Sequence, residues 1–569
     1  MRAPVPSADL AVIHEHLERA PGYERVRALR PSFAAATADM TDSILREAGR
    51  FADDVLSPLN AEMDRHGCAI EKGRVIGQAP GHLRAWEEWK DLGWPRLPHD
   101  ENLGGTGLPL SVMLAVQELF DRGSPAFGML PVLQRTAAKL IHAFGSEEQK
   151  ATWLEGLVDG SLAATICVSE PSVGSDVSQL RTRASETGDG WLVNGGKMWI
   201  SFGDHQLCER IVHCVLANTA PQGEPPELSI ILVEGGGAQP GAVDVVRIEE
   251  KMGLHGSPTC ELRFENAKGT LLGARGRGLA QMFVMITGMR LAVAVGGLAV
   301  TSASADVALS YAGQRRQGGP PHQPLPIIEH ADVQRQLMAM IAKTHVLRGL
   351  CFAAGNLADL AEGEPNEAER ALAADQLAWL LPIAKTFGAE CGFDSASGAI
   401  QVLGGAGYTA EWPVEQMLRD CRIHAIFEGT SGIQALDLVH RRVLRTQSFE
   451  AFLASARAFD GGEGLTACLD LLEDAVSFLR GLEPKSQVVG RVAMDFLQLA
   501  ILGATGWIAA GLLAGTATSP AAETIQAAAR FWLADLAERG RLHHARIRSG
   551  LPEIAGIEAV RRNSDLIGA

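Results

Sequence analysis

Apolar residues fall into three successive patterns along this chain. From about residue 36 to 162 they recur at helical spacing. Segments 38–56, 112–122 and 134–144 each carry an apolar stripe with polar residues between, which predicts helices with one buried face. Thr41 and Asp42 stand near the start of the first, and Pro, Gly and Asn punctuate 93–109. From about 163 the period shortens. Segments 165–168, 211–216, 228–233, 243–248 and 259–264 are short and β-branched, separated by loops such as Gly235-Gly236-Gly237. Residues 190–201 predict a hairpin turning at Asn194-Gly195. Strands at such short intervals imply a compact barrel or sandwich. Helical periodicity returns near Leu279 and runs to the C-terminus, broken by Gly/Pro-rich turns at 313–326, 363–366 and 461–464. Helices, a β insert, then helices again define an α+β chain of separate domains rather than alternating βαβ units. We place the domains at 1–162, 163–280, 281–447 and 448–569.

Composition narrows the classes. The balance of 51 basic against 67 acidic residues, a formal charge of −16, opposes nonspecific nucleic-acid binding. Nine cysteines without a C-x-x-C pair suggest neither a disulfide framework nor a zinc site, and they suit a reducing, cytoplasmic interior. No metal is expected. His543-His544 are adjacent, so they diverge on a helix and make poor joint ligands. The first twenty residues lack an apolar core and cleavage site, so no signal peptide is read there. Residues 496–522 carry no charge and approach the length of a membrane span. Gln498, Gly503, Thr505, Gly506 and Gly511 interrupt them and no basic cluster flanks them, so a buried packing helix is expected.

Three runs carry chemistry. In Ile426-Phe427-Glu428-Gly429-Thr430 a carboxylate sits between an apolar pair and a glycine. That arrangement suits a desolvated general base with a raised pKa and a close-approaching substrate. Ser169-Glu170-Pro171-Ser172-Val173-Gly174-Ser175-Asp176 is a hydroxyl-bearing turn able to hold a phosphate or a ring carbonyl. Trp199-Ile200-Ser201 offers an aromatic plate beside a hydroxyl, fit for a planar heteroaromatic cofactor. Gly276-Arg277-Gly278 lies outside any βαβ unit, so it reads as a turn before a helix and not as a dinucleotide fingerprint.

In order along the chain, 168–176, Lys197-Met198-Trp199-Ile200-Ser201, Tyr311-Ala312-Gly313-Gln314-Arg315 and 401–434 make the chain resemble the acyl-CoA dehydrogenase family of flavoproteins. Residues 47–52, Pro58-Leu59-Asn60 and the helical block after 447 are similar to the long bacterial, 3-methylmercaptopropionyl-CoA dehydrogenase-like members. The resemblance implies a helical domain, a central β-barrel-like domain, a helical bundle and an extra C-terminal helical domain. It implies bound FAD, an acyl-CoA substrate, a homodimer, and an electron-transferring flavoprotein as electron acceptor in fatty-acid β-oxidation. Glu428 matches the catalytic base, whose own backbone N–H helps polarise the thioester. Val168, Ser169, Ser175, Trp199, Ser201 and Thr430 match FAD contacts. Arg315, Gln401, Gly404 and Gly405 match contacts made across a subunit interface. On the substrate side stand Ser175, Thr287, Arg290, Phe427 and Gly429.

The chain also departs from the family pattern. Thr287 replaces a usual Asn or Asp, Ser169 and Ser201 replace Thr, and Phe427 replaces a frequent Tyr. Gly432 stands where bulkier residues occur, which implies a roomier acyl pocket. Cys167 reads as a packed thiol. Two alternatives share these motifs: an acyl-CoA oxidase, and a flavin-binding alkylation-response-like protein with little dehydrogenase activity.

Overall fold

The computed structural model describes residues 2–459, 461–483, 486–516 and 518–551. The first helical run is longer than its apolar stripe suggests. Ala38–Phe51 passes through a π turn, Ala52–Leu56, into Ser57–His66. Thr37, one position ahead of the helix, caps it by accepting a hydrogen bond from the Met40 N–H, while Thr41 is buried. The other predicted segments extend to Leu110–Gly123 and Pro125–Phe144. A small antiparallel pair, β1 (Ala69–Glu71) and β2 (Arg74–Ile76), interrupts the helices and was not expected. It turns at Lys72-Gly73, both with positive φ (50° and 74°), on strands too short to carry a period.

The central strands are β3 (Leu162–Cys167), β4 (Arg183–Thr187), β5 (Gly190–Ser201), β6 (Arg210–Asn218), β7 (Leu228–Glu234), β8 (Val243–Ile248) and β9 (Thr259–Leu272). Pairing runs β4–β5–β9–β7–β6, and Arg183 opposite Asn218 joins β4 back to β6. A single residue pair thus closes the ring. Strand β3 adds parallel to β6, and β8 antiparallel to β9. The predicted hairpin turn is misplaced. The turn lies at Gly188-Asp189, between β4 and β5, and Asn194-Gly195 lies inside β5 at a bulge against β9. Gly195 has φ +147°, and a Cβ there would lie 2.8 Å from the Thr182 Cα. The Asn194 side chain accepts from the Asn266 N–H across the bulge. Asn-Gly here thus serves a bulge rather than a turn.

Helices Gly278–Gln314, Ala331–Gly363 and Glu367–Leu403 form the second helical bundle. Ser448–Arg457, Gly462–Arg480, Val488–Leu513, Pro520–Leu533 and Leu536–Arg548 follow. The uncharged run at 496–522 is not one element. Its helix ends at Leu513, and Ser519 caps the next. Gly278–Gln314, Ala331–Gly363 and Val488–Leu513 are long and apolar enough to cross a membrane, yet all three are largely buried inside the fold. His543 and His544 do diverge, His543 toward Asp495 and His544 toward Asp474 on neighbouring helices.

Candidate functional site

Two glycines bring the charged groups of the site together. Where helix Gly278–Gln314 crosses Glu367–Leu403, a Cβ on Gly297 would lie 2.0 Å from the Gly388 carbonyl oxygen, and one on Gly388 would lie 2.6 Å from the Ala294 oxygen. Only glycine permits this approach. Arg290 lies two turns before Gly297, and Lys385 one turn before Gly388. The crossing therefore sets two buried cations side by side around Glu428.

Glu428 itself is strained. Its φ is +56°, a region that residues with side chains seldom occupy, and Gly429 follows at +94°. A Cβ on Gly429 would lie 2.8 Å from Gln434 Nε2, so both backbone and space demand glycine there. Thr430 then caps helix Ser431–Asp437 by accepting from the Ile433 N–H. Burial raises the Glu428 carboxyl above its ordinary value, against the opposing pull of Arg290 and then Lys385. The flanking residues contribute less to that dryness than expected. Ile426 is 49% exposed, and Phe427 stacks on His424 at 5.7 Å.

Burial lowers Arg290, while Asp437, 3.4 Å away, pulls it back up. Arg441 and Arg442 also lie within 3.3 and 3.6 Å of Asp437. Thr287, one turn ahead of Arg290 on the same helix, is partly buried. Burial also lowers Lys385, to about 8.

The hydroxyl-bearing loop is pinned from beneath. Lys197 Nζ donates to the Val168 carbonyl at 3.0 Å and to Glu170 Oε1 at 2.9 Å. The Glu170 carboxylate also accepts from the N–H groups of Arg181 and Thr182. Both side chains are almost wholly buried. The Met198 N–H donates to the Ser169 carbonyl, joining loop to strand. Burial works against the charged form of each partner, but for Glu170 the hydrogen bonds and the ammonium prevail and its carboxyl is held low.

Above this base, Ser169 and Ser201 are partly exposed and Ser175 is exposed. Trp199, with φ +58°, leaves its indole 56% exposed on β5. The three hydroxyls make no hydrogen bond among the described residues. A planar aromatic face with Ser201 on the same strand and Ser169 on the loop joined to that strand fits a flavin ring with its polar edge. Cys167 packs in the β core, where burial pushes its thiol up to about 12.

The predicted residues divide into two groups. Arg315 follows the last residue of the helix that carries Arg290, roughly 38 Å along its axis at 1.5 Å per residue. Gln401 stands roughly 24 Å beyond Lys385 on its own helix, with Gly404 and Gly405 just after it. All four are exposed. They cannot reach Glu428 of the same chain.

Some site residues escaped the sequence reading. Lys385, Gln434 and Asp437 were not singled out, though Lys385 is the one charged residue between Asp375 and Glu390, and Gln434 and Asp437 sit among apolar residues. Arg419 and Asp420, inside the recognised run, tie three parts together. Arg419 grips Asp64 through two bonds of 2.7 and 3.0 Å, and Asp420 accepts from the Leu254 N–H at 2.7 Å.

Comparison with known proteins agrees with this architecture. The acyl-CoA dehydrogenase N-terminal, middle and C-terminal domains match residues 39–161, 165–267 and 276–444. A 3-methylmercaptopropionyl-CoA dehydrogenase of Ruegeria pomeroyi is 36% identical over 531 residues, covering 88% of this chain and 89% of that protein. The broad-specificity linear acyl-CoA dehydrogenase FadE5 of Mycobacterium tuberculosis is 32% identical, covering 73% and 71%. An acyl-CoA dehydrogenase complexed with FAD from Bacillus anthracis superposes with a TM-score of 0.75 over 96% of this chain and 92% of that one. At 20% identity it speaks to the fold alone. Three domain matches in order, a relative spanning nearly the whole chain and a shared fold place this chain in the acyl-CoA dehydrogenase family, as an oxidoreductase acting on acyl-CoA thioesters.

Proposed function

We propose that the protein oxidises an acyl-CoA thioester to its trans-2-enoyl-CoA, with Glu428 as the base. The observation that carries this reading is Glu428 itself: a carboxylate raised by burial, on a left-handed residue, between Arg290 and Lys385. An α C–H beside a thioester is weakly acidic, so a base of raised pKa narrows the gap to it. The family is FAD-dependent, and bound FAD would accept the hydride that leaves the β-carbon. Val168, Ser169, Ser175, Trp199, Ser201 and Thr430 would hold that cofactor. The N–H of Glu428 has no acceptor among the described residues and is available to the thioester oxygen as enolate charge develops. Arg290, with Thr287 one turn ahead of it, would face the CoA end, and Phe427 and Gly429 would line the reacting carbons.

The exposed set Arg315, Gln401, Gly404 and Gly405 lies too far from Glu428 to serve the same site. That distance supports a homodimer in which each copy completes its partner's FAD site. Nine unpaired cysteines, eight of them buried, suit a reducing compartment such as the cytoplasm. A Cβ on Gly432 would meet only Thr430 Oγ1, at 3.9 Å, which supports a roomy acyl pocket. The electron acceptor would be an electron-transferring flavoprotein.

The test is a product analysis. Purified protein is supplied with acyl-CoAs of graded length, including 3-methylmercaptopropionyl-CoA, and either an artificial electron acceptor or oxygen alone. Acceptor-dependent formation of trans-2-enoyl-CoA is expected. Stoichiometric peroxide with oxygen alone would indicate an oxidase instead. No enoyl product from any thioester would refute the reading.

A further inference from the structure

The strained turn that carries Glu428 is held by two residues to which the reaction itself assigns no part. Gln434 is fully buried, and its Nε2 donates to the Glu428 carbonyl at 2.9 Å and to the Gly429 carbonyl at 3.4 Å. Lys385 is 0% exposed, and its Nζ donates to the Gly429 carbonyl at 2.7 Å. No carboxylate forms an ion pair with Lys385 among the described residues. A buried ammonium is costly unless it is paired. This one spends its hydrogen bond on a backbone carbonyl one residue from the base, and it feels the Glu428 charge through space. Gln434 comes from helix Ser431–Asp437, downstream of the turn, and Lys385 from the long helix Glu367–Leu403 behind it. Two consecutive carbonyls are thus drawn toward buried donors from two directions. The Glu428 N–H is left without an acceptor and its carboxylate stands beside Arg290.

We propose that Lys385 and Gln434 are positioning residues, a clamp that holds the Glu428-Gly429 turn left-handed and thereby aims the base and its N–H at the substrate. The proposal rests on Glu428 being the base. The clamp explains why a residue with a side chain keeps positive φ beside a glycine that could have taken the strain alone. Lys385 adds its charge to this role and Gln434 does not, so the two members are separable by experiment.

Lys385→Met keeps the side-chain length and removes the ammonium. Gln434→Leu removes the amide with little change in size. Each variant is purified with its flavin, and kcat, KM and the pH dependence of kcat are measured with the best acyl-CoA. Binding of a 2,2-dimethylacyl-CoA, which lacks an α-proton, is measured by calorimetry. Both variants should keep FAD and bind the dead-end thioester within about threefold of wild type. Both should lose kcat by roughly 100-fold, the order expected for a displacement of about 1 Å at a reacting group.

The groups facing Glu428 are Arg290 from one long helix and Lys385 from the other. Asp437, Arg441 and Arg442 stand behind Arg290. His424, in the same loop, is neutral because burial lowers it to about 4. Removing the Lys385 charge therefore moves the acid limb of kcat to higher pH, whereas Gln434→Leu leaves that limb in place. Lys385→Arg should restore the limb toward wild type.

A Lys385→Met enzyme with wild-type kcat and an unmoved acid limb would overturn the proposal. If that variant does not fold, Gln434→Leu decides alone, and normal kcat in it overturns the clamp. A wild-type protein that oxidises no thioester would instead defeat the reading beneath.

Discussion

Replacing Gly297 with alanine tests whether the helix crossing builds the site. The new Cβ would lie 2.0 Å from the Gly388 oxygen, 2.3 Å from its carbonyl carbon and 3.0 Å from the Ala389 nitrogen. All three are backbone atoms, so no side-chain rotation relieves the clash. The helices must part by more than an ångström. Alanine gains about 1 kcal/mol of helix propensity over glycine. Overpacking a tight core costs about 1–3 kcal/mol. With no rotamer escape the upper end of that range applies, leaving a net loss of about 2 kcal/mol. Arg290 and Lys385 flank the crossing, so their spacing around Glu428 widens with it. A displacement of this order is expected to lower kcat about 100-fold. Denaturant melts and steady-state turnover of purified Gly297→Ala would show both effects together. Gly490→Ala is the control, because it lies inside helix Val488–Leu513 and its Cβ would meet nothing within 4 Å. It should be neutral or slightly stabilising. A Gly297→Ala enzyme as stable and as active as wild type would refute the account of how the site is assembled.

Other expectations follow from the same geometry. Lys197→Met strands the Glu170 carboxylate in the interior and should cost about 3–5 kcal/mol, with loss of FAD on gel filtration; Lys197→Met combined with Glu170→Leu should recover much of the stability. The rate at limiting substrate should rise with pH through an acid limb above the ordinary glutamate range, because Glu428 must be ionised to take a proton and burial raises its pKa. A limb at an unperturbed carboxylate value would contradict the burial argument. Linkage gives the matching stability effect. A carboxyl raised on folding favours the folded state below its unfolded pKa, and that contribution is lost as pH rises through the folded pKa. Glu428→Gln should therefore raise the melting temperature near neutral pH more than in acid, and an equal rise at both would count against it.

The sequence disclosed most where one period or one motif decides the matter. The β-branched runs of the central domain became strands because no helical stripe competes with them there. Glu428 stood out in the sequence because a glycine and an apolar pair flank it, and burial does raise its carboxyl. The hairpin failed because Asn-Gly satisfies a bulge as well as a turn. Only the pairing with β9, whose register shifts between Val193 and Gly195, distinguishes the two. The first strand of that hairpin, Arg183–Thr187, went unseen because it is polar and largely outward-facing. The Glu170–Lys197 pair could be read as motif letters but not as a pair, since the residues meet only when the loop folds back on β5. Lys385 and Asp437 carried a weaker signal, a lone charge in an apolar helix. Which loop each one serves depends on a helix crossing that no local pattern encodes. Ile426 misled for the opposite reason. Its apolar side chain suggested burial, but Ile426 is exposed.

The most direct test of the central claim is an anaerobic titration of the purified protein with saturated acyl-CoAs, following the visible flavin spectrum, in parallel for wild type and Glu428→Gln. Wild type should arrive yellow, be bleached by at least one thioester and release the enoyl product. Glu428→Gln should keep its flavin and bind the same thioester without bleaching. Bleaching of Glu428→Gln at the wild-type rate would place the base elsewhere and contradict the account.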